Sequence, residues 1–103
     1  MKTRVNRHDI VVAYDVSTET PEGRRRLREV AKICKNYGQR VQFSVFECSV
    51  TPMQLEQLQY ELCDVMDPEE DSLRLYVLHL GRESSVRIHG KDRYVDFDEP
   101  LVF

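Results

Sequence analysis

The sequence predicts an α+β domain of the ferredoxin-like βαββαβ type, with additional C-terminal strands and a dimeric assembly. Three observations carry this expectation. IVVAYDV at 10–16 opens with four apolar residues in a row, the pattern of a strand buried on both faces. Two later segments, entered through Thr20 and Thr51, join capping chemistry to helical apolar spacing. Between them QRVQFSVFECSV at 39–50 alternates as a strand does but changes phase midway.

Taken in order, residues 9–16 form the first strand. TETPEG is a turn in which Thr20 caps a helix and Pro21 takes its first position, where a missing N–H costs nothing. The helix EGRRRLREVAKICKNYG buries Leu27, Val30, Ala31, Cys34 and Tyr37 and ends at Gly38, which suits the position just past a helix end. In 39–50, Val41, Phe43 and Val45 are apolar at odd positions; Phe46, Cys48 and Val50 are apolar at even ones. A one-residue slip swaps faces, so a bulge or a break into two short strands is needed around Ser44–Phe46. Thr51 and Gln54 match a capping box, Pro52 opens the second helix, and Leu55, Leu58, Leu62 and Val65 form its inward stripe. DPEED is an acidic loop. SLRLYVLHL is a strand with Leu73, Leu75 and Val77 on one side. Two weaker strands are expected at 85–89 and 93–97, followed by the apolar tail EPLVF. Two helices cover one sheet face, and a second copy of the chain would bury the other.

Composition bounds the function. The 103 residues suit one domain, 1–103, with 41% hydrophobic and 32% charged residues. No apolar run approaches the roughly 20 residues that span a bilayer, so no membrane association is expected. MKTRVNRHD lacks the apolar segment of a secretion signal. Cys34, Cys48 and Cys63 are odd in number and widely spaced, which reads as buried thiols in a reducing, cytoplasmic setting rather than a zinc site. His8, His79 and His89 have no ligand spacing. The net charge of −3 hides a polarity. Residues 24–40 hold seven Lys or Arg and one Glu, whereas 47–71 hold eight acids and no base. One face is thus suited to phosphates and another repels them.

Tyr14–Asp15 at the end of the first strand, the basic first helix and RVQFSVFEC at 40–48 together resemble the CRISPR-associated Cas-two family. The similarity extends over nearly the whole chain, including the PLVF-type end. It implies a homodimer of ferredoxin-like subunits in which the C-terminal tail, 99–103, pairs with the other subunit through Leu101, Val102 and Phe103. It also implies Mg²⁺-dependent phosphodiester cleavage of RNA or double-stranded DNA in antiviral defence. The alternative implied is a non-catalytic dimeric scaffold that bridges integrase dimers and holds DNA during spacer acquisition. The partners implied are a second copy, the CRISPR integrase and a DNA or RNA backbone. Residues 1–8 form an N-terminal extension with no counterpart assigned in the family.

Asp15 matches the family's strand-end metal carboxylate; otherwise it would cap the next turn through its side chain. Mg²⁺ keeps several waters and needs few protein carboxylates, but one Asp per chain is a poor site. Two, brought together across a dimer axis, would hold one shared ion. At about 4 Å apart they repel by roughly 4 kcal/mol at an effective dielectric near 20, which a cation or shared proton relieves. Tyr14 is the second catalytic candidate, with core packing its equal alternative. Arg24, Arg25, Arg28, Lys32 and Lys35 form a basic stripe, either a solvated face or a phosphate-binding one. Contact with about five phosphates would give a log–log salt slope near −4 to −5. Arg40, Ser44 and Phe46 match the family's RxQxSVF. Arg40 is a phosphate-binding candidate. Ser44 either bonds phosphate or completes the broken ladder. Phe46 belongs to the core or the dimer interface. The acidic segment 56–71 is a solvated face or a dock for a basic partner.

Overall fold

The computed structural model describes residues 7–95. Strand β1 (His8–Asp15) leads through Thr20 into helix α1 (Pro21–Lys35), then β2 (Gly38–Gln42), β3 (Val45–Val50), α2 (Pro52–Val65), β4 (Ser72–Leu78) and a short helix α3 (Arg82–Ser85). The four strands form one antiparallel sheet in the order β2-β3-β1-β4, so the expected βαββαβ arrangement is present.

The local signals act as their chemistry requires. The Thr20 hydroxyl accepts from the Gly23 N–H at 3.0 Å, and Pro21 follows it. Thr51 and Gln54 exchange both bonds of a capping box, at 3.2 and 2.9 Å. The phase change in 39–50 is resolved twice over. Val41 is an extra residue in β2, because Arg40 pairs with Phe46 and Gln42 with Val45. Phe43 and Ser44 then turn the chain into β3, and the Ser44 carbonyl accepts from the Tyr14 N–H at 3.1 Å. Ser44 thus joins the ladder through its backbone carbonyl.

Pairing register sorts the side chains. Val12 faces Phe46 and Leu75 across its two neighbours, and Ile10 faces Cys48 and Val77. These residues lie beneath α1 and α2, where Val30, Ala31, Cys34, Leu58 and Leu62 complete the core. The Tyr37 hydroxyl donates to Glu61 at 2.8 Å and joins the two helices. The opposite face carries Asp9, Val11, Ala13 and Asp15 from β1, with Val45 and Glu47 from β3.

Several expectations need correction. Gly38 does not terminate α1; Asn36 caps it, and Gly38 begins β2. Cys63 is exposed, unlike Cys34 and Cys48. Residues 86–95 form no strand, and α3 occupies the start of the expected 85–89 strand. Instead this segment folds over part of the helix-free face. Arg82 donates to the buried Glu47 at 3.0 Å and to Asp92 at 2.9 Å, and its guanidinium lies 3.8 Å from the centre of the Tyr94 ring. Gln39 exchanges two hydrogen bonds with the Val95 backbone. The tail residues Leu101, Val102 and Phe103, the rest of the 93–97 strand and most of the N-terminal extension lie outside the described residues.

Candidate nucleic-acid interface and strand-end carboxylate

Strand alternation separates the two residues of the Tyr14–Asp15 pair. Asp15 lies at the exposed end of β1 on the helix-free face, opposite Ser72 of β4. Nearby on that face are Ala13 and Val45, which pair with each other, and Arg74. Among the described residues no group of three or more His, Cys, Asp or Glu side chains is placed to hold a metal. Among the described residues one subunit thus completes no ligand set around Asp15, and a divalent ion would be held more firmly there with a second carboxylate beside it.

Tyr14 points the other way, into the helix-covered side. It is 6% exposed and stacks on Phe46 with ring centres 6.3 Å apart. Burial pushes its phenol up, and the neighbouring Arg40 guanidinium partly offsets this. Phe46 is fully buried within its own subunit, so of its two expected places it takes the core and leaves no surface for a dimer interface. The guanidinium of Arg40 lies over both the Phe46 and the Phe43 rings, at 5.3 and 5.7 Å.

The basic residues divide into groups. Arg28, Lys32 and Lys35, one turn apart on α1, come together with Arg40 of β2 around a cleft of about 380 Å³. Its remaining walls are Tyr14, Leu27, Ala31 and Phe43, and among the described residues no carboxylate lines it. Arg24 stands at the start of α1, where its guanidinium donates to the Thr18 carbonyl at 3.0 Å, and Arg25 is exposed beside it. Arg26, adjacent in sequence, is spent on structure. It donates to Asp71, whose side chain is fully buried and also accepts from the Ser17 and Asp67 N–H groups. Burial alone would raise the Asp71 carboxyl, but the bonds from Arg26, Asp67 and Ser17 outweigh it and hold it below its ordinary value. This buried acid fixes the loop after Asp15 against α1, a role that its place in the acidic run 56–71 did not suggest.

Sequence reasoning also missed Phe43. It was grouped with Val41 and Val45 as one face of a strand, yet it stands 70% exposed at the β2–β3 turn. The available signal was its place beside the phase change, where a large apolar residue has no strand face to occupy.

Comparison with known proteins agrees with this architecture. The family described as CRISPR associated protein Cas2 matches residues 8–86. A protein of Moorella thermoacetica named CRISPR-associated endoribonuclease Cas2 1 is 50% identical over 93 residues, covering 90% of this chain and 97% of its own. A protein of Halalkalibacterium halodurans named CRISPR-associated endonuclease Cas2 is 47% identical over 94 residues, covering 91% of this chain and 98% of its own. The crystal structure of Streptococcus pyogenes Cas2 at pH 6.5 superimposes with a TM-score of 0.71 at 50% identity, covering 80% of this chain and 99% of that one. With the strand order, the strand-end Tyr14–Asp15 and the match over most of its length, this chain belongs to the Cas2 family of CRISPR-associated proteins.

Proposed function

We propose that this chain is a nuclease subunit of a CRISPR system, cleaving phosphodiester bonds in RNA or double-stranded DNA as a homodimer. The observation that carries this reading is the position of Asp15, exposed at the end of a central strand on the face without helices. Relatives of similar length named endoribonuclease and endonuclease support the reaction class. Asp15 from each of two subunits would hold one Mg²⁺. Such an ion supplies charge neutralisation at the phosphate and acidification of a bound water. Arg24 and Arg25, with the cleft cations, orient the nucleic-acid backbone without reading its sequence. Tyr14 contributes from the other side of the sheet, through the phosphate contacts of the cleft rather than beside Asp15. Ser44 lies at the turn between the two regions, and its side chain is a candidate phosphate contact.

One observation favours a second reading, a non-catalytic scaffold that holds DNA for the CRISPR integrase. The clustered cations line the helix side, away from Asp15, so binding and carboxylate chemistry are separable. The deciding experiment incubates the wild type and Asp15→Ala with RNA and with duplex DNA, with Mg²⁺ or a chelator, across pH. The nuclease reading expects cleavage by the wild type that needs Mg²⁺ and disappears in Asp15→Ala. Retention of DNA by both proteins without cleavage by either supports the scaffold. Unchanged cleavage by Asp15→Ala removes Asp15 from the reaction.

A further inference from the structure

Among the described residues, the Tyr14 hydroxyl is the one buried side-chain polar atom without a hydrogen-bond partner. Its neighbour Arg40 can only donate, so even where that guanidinium reaches the phenol oxygen the phenol hydrogen finds no acceptor among the described residues. Buried hydroxyls are ordinarily paired, because an unmade bond costs the full desolvation of the group. The residue borders the cleft between α1 and the β2–β3 turn, and among the described residues no acid lines it to offset the four cations there. An acceptor that satisfies the hydroxyl and is drawn to those cations is an anion.

The rest of the cleft narrows the choice. Its volume of about 380 Å³ falls in the range of small-ligand pockets. Leu27 and Ala31 make part of its wall apolar, and Phe43 offers a largely exposed ring at its edge. A π-face next to a cationic pocket suits a base attached to a phosphate, since every base can stack on an aromatic ring. Four cations favour a dianionic phosphomonoester over the singly charged diester inside a strand.

We infer that this cleft is a binding site for one nucleotide, with its phosphomonoester on the Tyr14 hydroxyl and the cations Arg28, Lys32, Lys35 and Arg40, and its base on Phe43. The nucleotide is either free or the phosphorylated end of a strand, which share this chemistry. The site deepens the phosphate-binding part of the proposed function and rests on it, but not on cleavage, because Asp15 lies on the opposite face of the sheet.

The test is calorimetric titration of the full chain with adenosine 5′-monophosphate, adenosine and inorganic phosphate. The monophosphate binds, and adenosine binds at least roughly tenfold more weakly because it brings no charge to the cations. Tyr14→Phe keeps the ring and loses roughly tenfold in affinity for the monophosphate. Phe43→Ala loses roughly tenfold for the monophosphate and nothing for inorganic phosphate. Asp15→Ala binds as the wild type does, whatever its effect on cleavage. A short oligonucleotide competes with the monophosphate better with a 5′-phosphate than with a 5′-hydroxyl if strand ends are the source, and equally if the free nucleotide is. Equal affinity for adenosine and its monophosphate, no binding of the monophosphate, or undiminished binding by Tyr14→Phe overturns the inference.

Discussion

Arg82 ties several residues together on the helix-free face. Its backbone N–H donates to Asp9 at 3.0 Å, while its guanidinium serves Glu47, Asp92 and the ring of Tyr94. Glu47 is a buried carboxylate on a sheet, tolerable only while paired. Arg82→Ala strands it and is expected to lower stability by about 3 kcal/mol in urea denaturation. Adding Glu47→Gln to that variant removes the stranded charge and recovers part of the loss. A second expectation concerns the thiols. Burial pushes both Cys34 and Cys48 up to about 12, whereas Cys63 is exposed. A thiol reagent near pH 8 should therefore modify one cysteine per native chain, and all three after unfolding. The same shifts set an alkaline limit. Between the ordinary thiol value near 9 and the native value near 12, the unfolded chain loses protons that the native chain keeps. The native state then binds more protons, so stability falls as pH rises through that window. The lowered Asp71 carboxyl sets the acid limit. Its stabilisation is complete above about pH 4 and is lost as pH falls through its native value. A melting-temperature profile against pH checks both limits.

At the scale of elements, the sequence was most legible where the chemistry is local. Both N-caps, the proline at the start of each long helix and the apolar stripes of α1 and α2 are read from residues within a turn of each other. The phase change in 39–50 likewise demanded the irregularity now seen at Val41 and the Phe43–Ser44 turn. Asp15 and the cations of α1 were visible as residue types, but their separation onto two faces depends on where β1 lies in the sheet. The cleft was illegible because chain order does not say that β2 and its turn fold back along α1, bringing Arg40 and Phe43 beside Arg28 and Lys32. Arg26 and Asp71 are 45 positions apart, and neither carries a local sign of its partner. Gly38 shows how a correct signal can have the wrong cause. A Cβ there would collide with the Cys48 sulfur and the Glu47 carbonyl, so this glycine exists for close strand packing rather than helix termination. Gly38→Ala is expected to cost about 1–3 kcal/mol through forced displacement of β2. It should also weaken nucleic-acid retention, because Arg40 moves with that strand. Alanine at Gly38 with unchanged stability would show that β2 shifts without penalty.

The molecule as a whole has a helix-free face that is divided in two. The chain's own segment 82–95 bonds to Asp9, Gln39 and Glu47, at one end. Among the described residues it makes no bond to Ala13, Asp15, Val45 or Arg74, at the other. That second end is half-buried at Ala13 and Val45 and carries Tyr76 at 47% exposure. A second copy paired through this sheet surface would cover it. A symmetric pairing there would bring the two Asp15 residues toward the axis, the arrangement the proposed shared ion requires. Val45→Arg tests the coupling, because it puts a charge in the middle of that patch while leaving the helix-side core untouched. The expected result is a monomer by sedimentation with a native circular dichroism spectrum, and loss of Mg²⁺-dependent cleavage even though Asp15 is intact. Asp15→Ala should do the reverse, remaining dimeric and losing only cleavage. Should the Val45→Arg monomer cleave at the wild-type rate, each Asp15 acts alone and the reaction does not depend on the symmetry of the pair.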